Sequence, residues 1–553
     1  MAPRRVSRAS ESTPLLREVE PEPIDDGAVE QQQAAIEGDW VDENETALAE
    51  EPSNGKLAII MLSIWVGVFL GALDSTIVAT LASPISDSFN SFTLISWLAS
   101  AYLIANAALQ PLSGRLTDIF GRRAGLIFSN IFFFAGNLIC GLAKTEWVMI
   151  LGRVVAGMGG GGLMAISTFI GSDLVPLRKR GLIQGLGNVC YGLGGGLGGV
   201  YGGWVNDNWG WRWAFLFQLP LIAVSGILIC FTVKIPVKEK SMSRIKRVDF
   251  LGALTLVATL VLLLVGLNSG GNIVPWTHPL VLITLPLSGV CLLLFIFIED
   301  KVASEPIIPV RILLHQTVAC ACLTNWFTTM AAYILMYYAP IYFQVLGYSA
   351  TQAGARLIPM SIGASIGSLG SGYIMRATGR YYILNIFIEG MLVVAAALIA
   401  GTFDRHTATI PPFIYFAFSG IGYGGMLTIT LIALISAVDH KHQAVITSAS
   451  YAFRSTGSSI GITIASAVFQ NILKTQLWKR LGDQPNAREI IGKLRDSIGE
   501  IQHLPPNLYD GAIDSFMWSF KGVWYTMLGI GVVGVTISLG MREHVLHTNL
   551  ARK

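Results

Sequence analysis

The sequence predicts an all-α polytopic membrane protein of about fourteen transmembrane helices, built as two six-helix bundles with two further helices inserted between them. Three observations predict it. The first is composition: of 553 residues, 52% are hydrophobic and only 13% are charged, and the mean hydropathy is +0.57, outside the balance of a soluble globular protein. The second is a succession of mainly apolar runs of about 20 residues, the length that carries a helix across a hydrocarbon core roughly 30 Å thick with its backbone polar groups satisfied internally. The third is a repeated loop. Gly114-Arg115-Leu116-Thr117-Asp118-Ile119-Phe120-Gly121-Arg122-Arg123 and Gly372-Tyr373-Ile374-Met375-Arg376-Ala377-Thr378-Gly379-Arg380 match in their glycines and in the arginine after the second glycine at an offset of 372 − 114 = 258.

Residues 1–56 are rich in Glu, Asp, Gln, Ser and Pro and poor in apolar residues, which predicts a disordered cytosolic tail. The first six spans fall at 57–82, 93–113, 124–143, 147–171, 181–204 and 211–233, giving an N-terminal bundle over 57–235. Residues 236–310 hold the inserted spans at 248–267 and 277–298. The second bundle occupies 311–545, with spans at 317–343, 351–374, 381–401, 411–437, 443–473 and 522–541 and a long loop near 474–521; residues 546–553 are a short tail.

Cations set the orientation, because Lys and Arg collect in short cytoplasmic loops. Arg122 and Arg123, Arg178 to Arg180, Lys234 to Arg247, Lys301 with Arg311, and Arg376 with Arg380 all fall in even-numbered loops, so both termini are expected in the cytosol. The first span serves as the insertion signal, since no removable leader precedes it. The net charge of +3 averages an acidic tail with basic loops and implies no nucleic-acid partner. All six cysteines fall within expected spans, where they behave as small packing residues, and the eight histidines fall outside them or, as His278, at a span's very edge. His440-Lys441-His442 has no clustered Cys or acid to complete a metal site, and neither a GxSxG element nor a phosphate loop is present. No metal, cofactor or enzymatic chemistry is expected.

A second repeat strengthens the duplication. Gly157 to Met164 matches Gly420 to Leu427 at 420 − 157 = 263, and the same offset carries Gly194 and Gly198 onto Gly457 and Gly461. Parallel repeats of this kind bind cargo near the membrane midplane between the halves and rock around it. Glycine runs suit such motion, since small residues let helices approach closely.

At these motifs the chain resembles the major facilitator superfamily, and within it the fourteen-span drug:proton antiporter group. Gly114, Leu116, Asp118, Gly121, Arg122 and Arg123 match that superfamily's loop signature, while Leu73-Asp74-Ser75-Thr76-Ile77-Val78 and Arg153 with Gly157 are similar to its span-one and span-four motifs. Gly194, Gly198, Gly202 and Gly203 match the antiporter motif of span five, although Gly199 stands where that motif has Pro. The run Asp74 to Leu81 is closest to fungal vacuolar basic amino acid transporters. The resemblance implies that Asp118 and Arg122 belong to a gate with Gly114, Gly121 and Arg123, with Asp173 as a partner and Arg376 and Arg380 as the equivalent in the second half. Glu11, Leu15 and Leu16 resemble an acidic dileucine sorting signal, which implies adaptors at the tail and a vacuolar membrane.

A charge at mid-bilayer costs about 2.5–3.5 kcal/mol, so the four expected at that depth are functional candidates: Asp74, Arg153, Glu389 and Arg454. Asp74 is the expected coupling acid with Arg153 as its switching partner, and Glu389 and Arg454 are expected to line or lock the second half. A static ion pair between helices is the competing account of each. Asn106, Gln110, Asn188, Tyr191 and Asn325 are polar groups placed to contact cargo, or to hydrogen-bond between helices. The expected activity is proton-coupled import of lysine, arginine and histidine into the vacuole by a monomer, with a small molecule, protons and the bilayer as its partners. Drug or toxin export at the plasma membrane, and a non-transporting nutrient receptor on the same scaffold, are the alternatives.

Overall fold

The computed structural model describes residues 53–544 except 90, 92–93, 175–176, 234–248, 271–273, 304–309, 439–442, 485, 497–499 and 502–503. Every extended element among the described residues is a helix. The first bundle comprises α1 (Asn54–Phe89), α2 (Leu94–Phe120), α3 (Arg122–Leu142), α4 (Glu146–Leu174), α5 (Leu177–Trp209), and the consecutive pieces α6 (Trp211–Leu216) and α7 (Gln218–Thr232). The inserted pair is α8 (Phe250–Ser269) and α9 (Pro279–Phe297). After the short α10 (Val310–Leu313), the second bundle comprises α11 (Gln316–Val345), α12 (Ala350–Ala355) leading into α13 (Ile358–Thr378), α14 (Tyr382–Thr402), α15 (Pro411–Ala437), α16 (Gln443–Leu481) and α18 (Pro506–Ser538), with α17 (Ala487–Asp496) between the last two.

Eleven of these stretches are long and apolar enough to cross a membrane. Expected spans two, five and thirteen correspond to α2, α5 and α16, which fall outside the eleven, so the fourteen-span count is compatible with the helices and not independently fixed by them. The physical reason is composition: α5 is crowded with glycine, and α2 and α16 carry Asn106, Gln110, Arg454 and several serines facing the interior. The outer surface is apolar, with Leu282, Ile283 and Leu293 of α9 and Ile383 and Phe387 of α14 all exposed, as a lipid-facing belt requires.

The duplication is physical. A Cβ on Gly157 would strike the backbone of Tyr102, and a Cβ on Gly420 would strike that of Met360, which lies 360 − 102 = 258 residues further on. Gly161 packs likewise on Asn106 and Gly424 on Ala364; Gly198 packs on Leu73, and Gly461 on Met330. The helix ends agree too. Gly121 (φ 92°) and Gly379 (φ 67°) turn the chain after α2 and α13 in a left-handed region closed to most side chains.

The inserted pair sits at the seam between halves. Ala253, Leu256 and Leu260 of α8 share an apolar cluster with Ala107 of α2 and Ala449 of α16.

The long loop expected near 474–521 is largely helical instead. α16 runs on to Leu481, α17 follows, and α18 begins at Pro506. Leu481, Ala487, Ile491, Leu494, Ile501 and Leu508 are buried, and Arg480 pairs with Asp514 at 2.8 Å. The mixed charges read as loop along the sequence are the solvent faces of amphipathic helices.

Candidate functional site

Asp74 on α1 and Arg153 on α4 meet as an ion pair, Arg153 Nη1 to Asp74 Oδ2 at 2.7 Å, with both side chains fully buried. Arg153 also donates from Nε to the Leu98 carbonyl at 3.2 Å, and its guanidinium lies over the Tyr102 ring, 4.4 Å from the centroid. Asp74 Oδ1 and Arg153 Nη2 have no hydrogen-bond partner. The pair is therefore held but incompletely satisfied, in a place where each missing partner is costly.

Tyr102 also lines a cavity between the halves of about 20 Å³, room for roughly one water molecule. Ser75, Tyr102, Leu103, Asn106, Gln110, Met164 and Tyr191 line it from the first half, and Tyr333, Arg454, Ser455 and Ser458 from the second. Tyr102, Asn106 and Gln110 stand four residues apart on one face of α2. The halves touch on both sides of this cavity. Toward the end opposite the basic loops, Tyr337 donates to the Ser75 carbonyl at 3.1 Å and Gln344 to the Thr80 carbonyl at 3.1 Å. Toward the basic loops, Ser455 donates to Gln110 at 2.9 Å and Asn188 to Ser368 at 3.1 Å. A cargo larger than water enters only when one of these sets parts.

Of the expected site residues, the structure brings Asn106, Gln110, Tyr191 and Arg454 to the cavity, whereas Asp74 and Arg153 pair with each other outside its wall. Asn188 and Asn325 do not line it; Asn325 Nδ2 donates to Ser450 at 2.8 Å, tying α11 to α16. Glu389 and Arg454 do not pair. Glu389 is fully buried on α14, where the Thr328 hydroxyl approaches its two oxygens at 2.9 and 3.2 Å. Arg454 lies over the Tyr451 ring at 4.4 Å.

Gate and motif residues divide. Arg122 donates to Thr117 Oγ1 at 2.7 Å and lies 5.2 Å over the Phe169 ring of α4, while Arg123 and Arg380 are exposed. The side chains of Asp118, Asp173 and Arg376, and the tail residues Glu11, Leu15 and Leu16, lie outside the described residues; Gly114 lies within α2. Gly194, Gly198 and Gly202 pack on Phe69, Leu73 and Ile77 of α1, whereas Gly203 packs on Thr351 of α12 across the seam. Gly199, in the place of the motif's Pro, meets Gly354 of the second half. A larger residue there would separate the two halves.

Sequence reasoning missed Tyr102, Ser75, Ser455 and Ser458. The signal for Tyr102 was present as the four-residue spacing to Asn106 and Gln110. A second cavity of about 180 Å³ lies at the end opposite the basic loops, with Asp87, Asp207, Gln344, Ile501 and Tyr509 in its wall. Asp207 bonds there to the Thr351 amide and hydroxyl.

The family model described as Major Facilitator Superfamily matches residues 64–462. The multidrug resistance protein fnx1 of Schizosaccharomyces pombe is 39% identical, covering 91% of this chain and 96% of that protein. The vacuolar membrane amino acid uptake transporter fnx2 of the same yeast is 34% identical over 86% and 82%, and the vacuolar basic amino acid transporter 1 of Saccharomyces cerevisiae 28% identical over 88% and 92%. Among solved structures, a bacterial homologue of the human lysosomal transporter Spinster superimposes with a TM-score of 0.61 at 14% identity, covering 88% of this chain and 97% of that one. Duplicated helix contacts, a seam cavity and these matches agree: the chain is a multi-pass membrane transporter that belongs to the major facilitator superfamily.

Proposed function

We propose that this chain is a proton-coupled secondary transporter of the vacuolar membrane, moving lysine, arginine and histidine into the vacuole by alternating access. The observation that carries the coupling is the buried Asp74–Arg153 pair, whose guanidinium lies against the ring of Tyr102, a residue that also lines the seam cavity. A proton on Asp74 cancels the charge that holds Arg153, leaving the guanidinium with the Leu98 carbonyl and the Tyr102 ring. Tyr102 is thus in contact with both the pair and the cavity, so cargo and proton bias one side chain. Each pH unit across the membrane supplies about 1.4 kcal/mol per proton, a tenfold concentration ratio. Glu389 is a second protonatable group outside the cavity wall. The substrate reading is supported by the vacuolar amino acid roles of two relatives and by the span-one run Asp74 to Leu81.

Export of drugs or toxins at the plasma membrane is the second reading, favoured by the similarity to fnx1 and by three tyrosines, Tyr102, Tyr191 and Tyr333, in the cavity wall. A non-transporting receptor would use the same cavity. Flux into sealed vesicles separates the three: lysine accumulation that collapses with the pH gradient supports import, drug flux without lysine flux supports export, and lysine binding without flux supports the receptor.

A further inference from the structure

Arg454 is the one guanidinium in the cavity wall, and no carboxylate lines that wall among the described residues. The Tyr451 ring covers one face of it, and it makes no hydrogen bond to any described residue. A ring against the face of a guanidinium leaves the in-plane N–H fork free, and that fork matches a carboxylate in two parallel hydrogen bonds. The acid that could have neutralised it, Asp74, is already committed to Arg153, and Glu389 is held at Thr328. Close by, Asn106 Oδ1 is buried without a partner, an acceptor of the kind an ammonium group would use. Arg454 and Asn106 both line the cavity between the halves, and none of the described residues in its wall carries a negative charge.

We infer that Arg454 receives a carboxylate of the cargo, with Asn106 Oδ1 accepting from the adjacent ammonium. The inference rests on the amino-acid reading for the cargo's identity, in which the group bound is the α-carboxylate. It also accounts for a wall whose described residues include no acid: the cargo itself brings the negative charge that Arg454 lacks, through the backbone end that all amino acids share.

The test is protection of the purified full-length protein against thermal unfolding by lysine, lysinamide and cadaverine, in wild type and in Arg454→Gln. Lysine is expected to protect wild type at about tenfold lower concentration than the two ligands without a carboxylate, and Arg454→Gln is expected to bring all three level. Arg454→Met, which fills similar volume without a buried charge, takes its place should the Gln variant not assemble. Equal protection of wild type by lysine and lysinamide overturns the inference, as does a lysine preference that survives loss of the guanidinium. Should none of the three bind, the amino-acid reading falls, and indole-3-acetate against indole-3-acetamide decides the carboxylate assignment. Preference for the acid that is lost with Arg454 upholds it, and no preference overturns it.

Discussion

Arg153 donates to Asp74 at 2.7 Å in full burial, yet the equivalent positions of the second half hold Phe416 and Ala331. Arg153 carried by the span-four offset of 263 falls on Phe416. Asp74 carried by the span-one offset, 330 − 73 = 257, falls on Ala331. The halves share their helix contacts and not their charges, so an ionic switch at this level exists in one half only. Removing one partner leaves the other charge buried alone, which costs about 3–5 kcal/mol. Asp74→Ala is expected to destabilise by that amount, and Asp74→Ala with Arg153→Met to recover most of it, as read by thermal unfolding in detergent. Full additivity of the two single changes would refute the pairing.

The repeated glycine contacts predict matched sensitivities. Gly157→Ala and Gly420→Ala each place a methyl against backbone and are expected to cost about 1–3 kcal/mol apiece through overpacking. Gly289→Ala on α9 meets nothing within 4 Å and is expected to stay within about 0.5 kcal/mol of wild type. Melting curves of the three variants compare them directly.

Glu389 has one hydroxyl, that of Thr328, for its two oxygens. Glu389→Gln keeps an acceptor for that hydroxyl and is expected to remain within about 1 kcal/mol of wild type. Since Glu389 does not border the cavity or touch Tyr102, its gradient-driven uptake should fall less than that of Asp74→Asn. Equal losses in parallel vesicle assays would place both acids in one relay.

On the exposed face of α17, Lys493 pairs with Glu489 at 2.9 Å and holds its carboxyl below the ordinary range. A depressed carboxylate contributes its stabilisation above its unfolded value, about 4.3, and loses it as pH falls through the lowered folded value. The pair should therefore persist at mildly acidic pH and break only in stronger acid. Following the Glu489 carboxyl by NMR titration checks this, and Lys493→Met should return it to the ordinary range.

Periodicity and composition carried the helical architecture, because long apolar runs leave a bilayer-spanning chain no other backbone solution. The glycine repeats carried the internal symmetry, since Gly157 and Gly420 are required by the same backbone approach. Asp74 and Arg153 were legible as a pair because isolated buried charge is costly. The separation of Glu389 from Arg454 was not, since burial cost says that a charge needs a partner and not which one it finds. Thr328 is such a partner, and nothing in its local sequence marks it among many threonines. The segment near 474–521 was misread for a related reason: α17 and the extended ends of α16 and α18 bury only one stripe, so their average composition resembles a loop.

The central claim is that protonation of Asp74 couples the gradient to cargo. Proteoliposomes carrying wild type or Asp74→Asn test it most directly, by comparing lysine accumulation under an imposed pH gradient with lysine–lysine exchange without one. Gradient-driven accumulation is expected only in wild type, with exchange retained in Asp74→Asn. Accumulation by Asp74→Asn equal to that of wild type would contradict it.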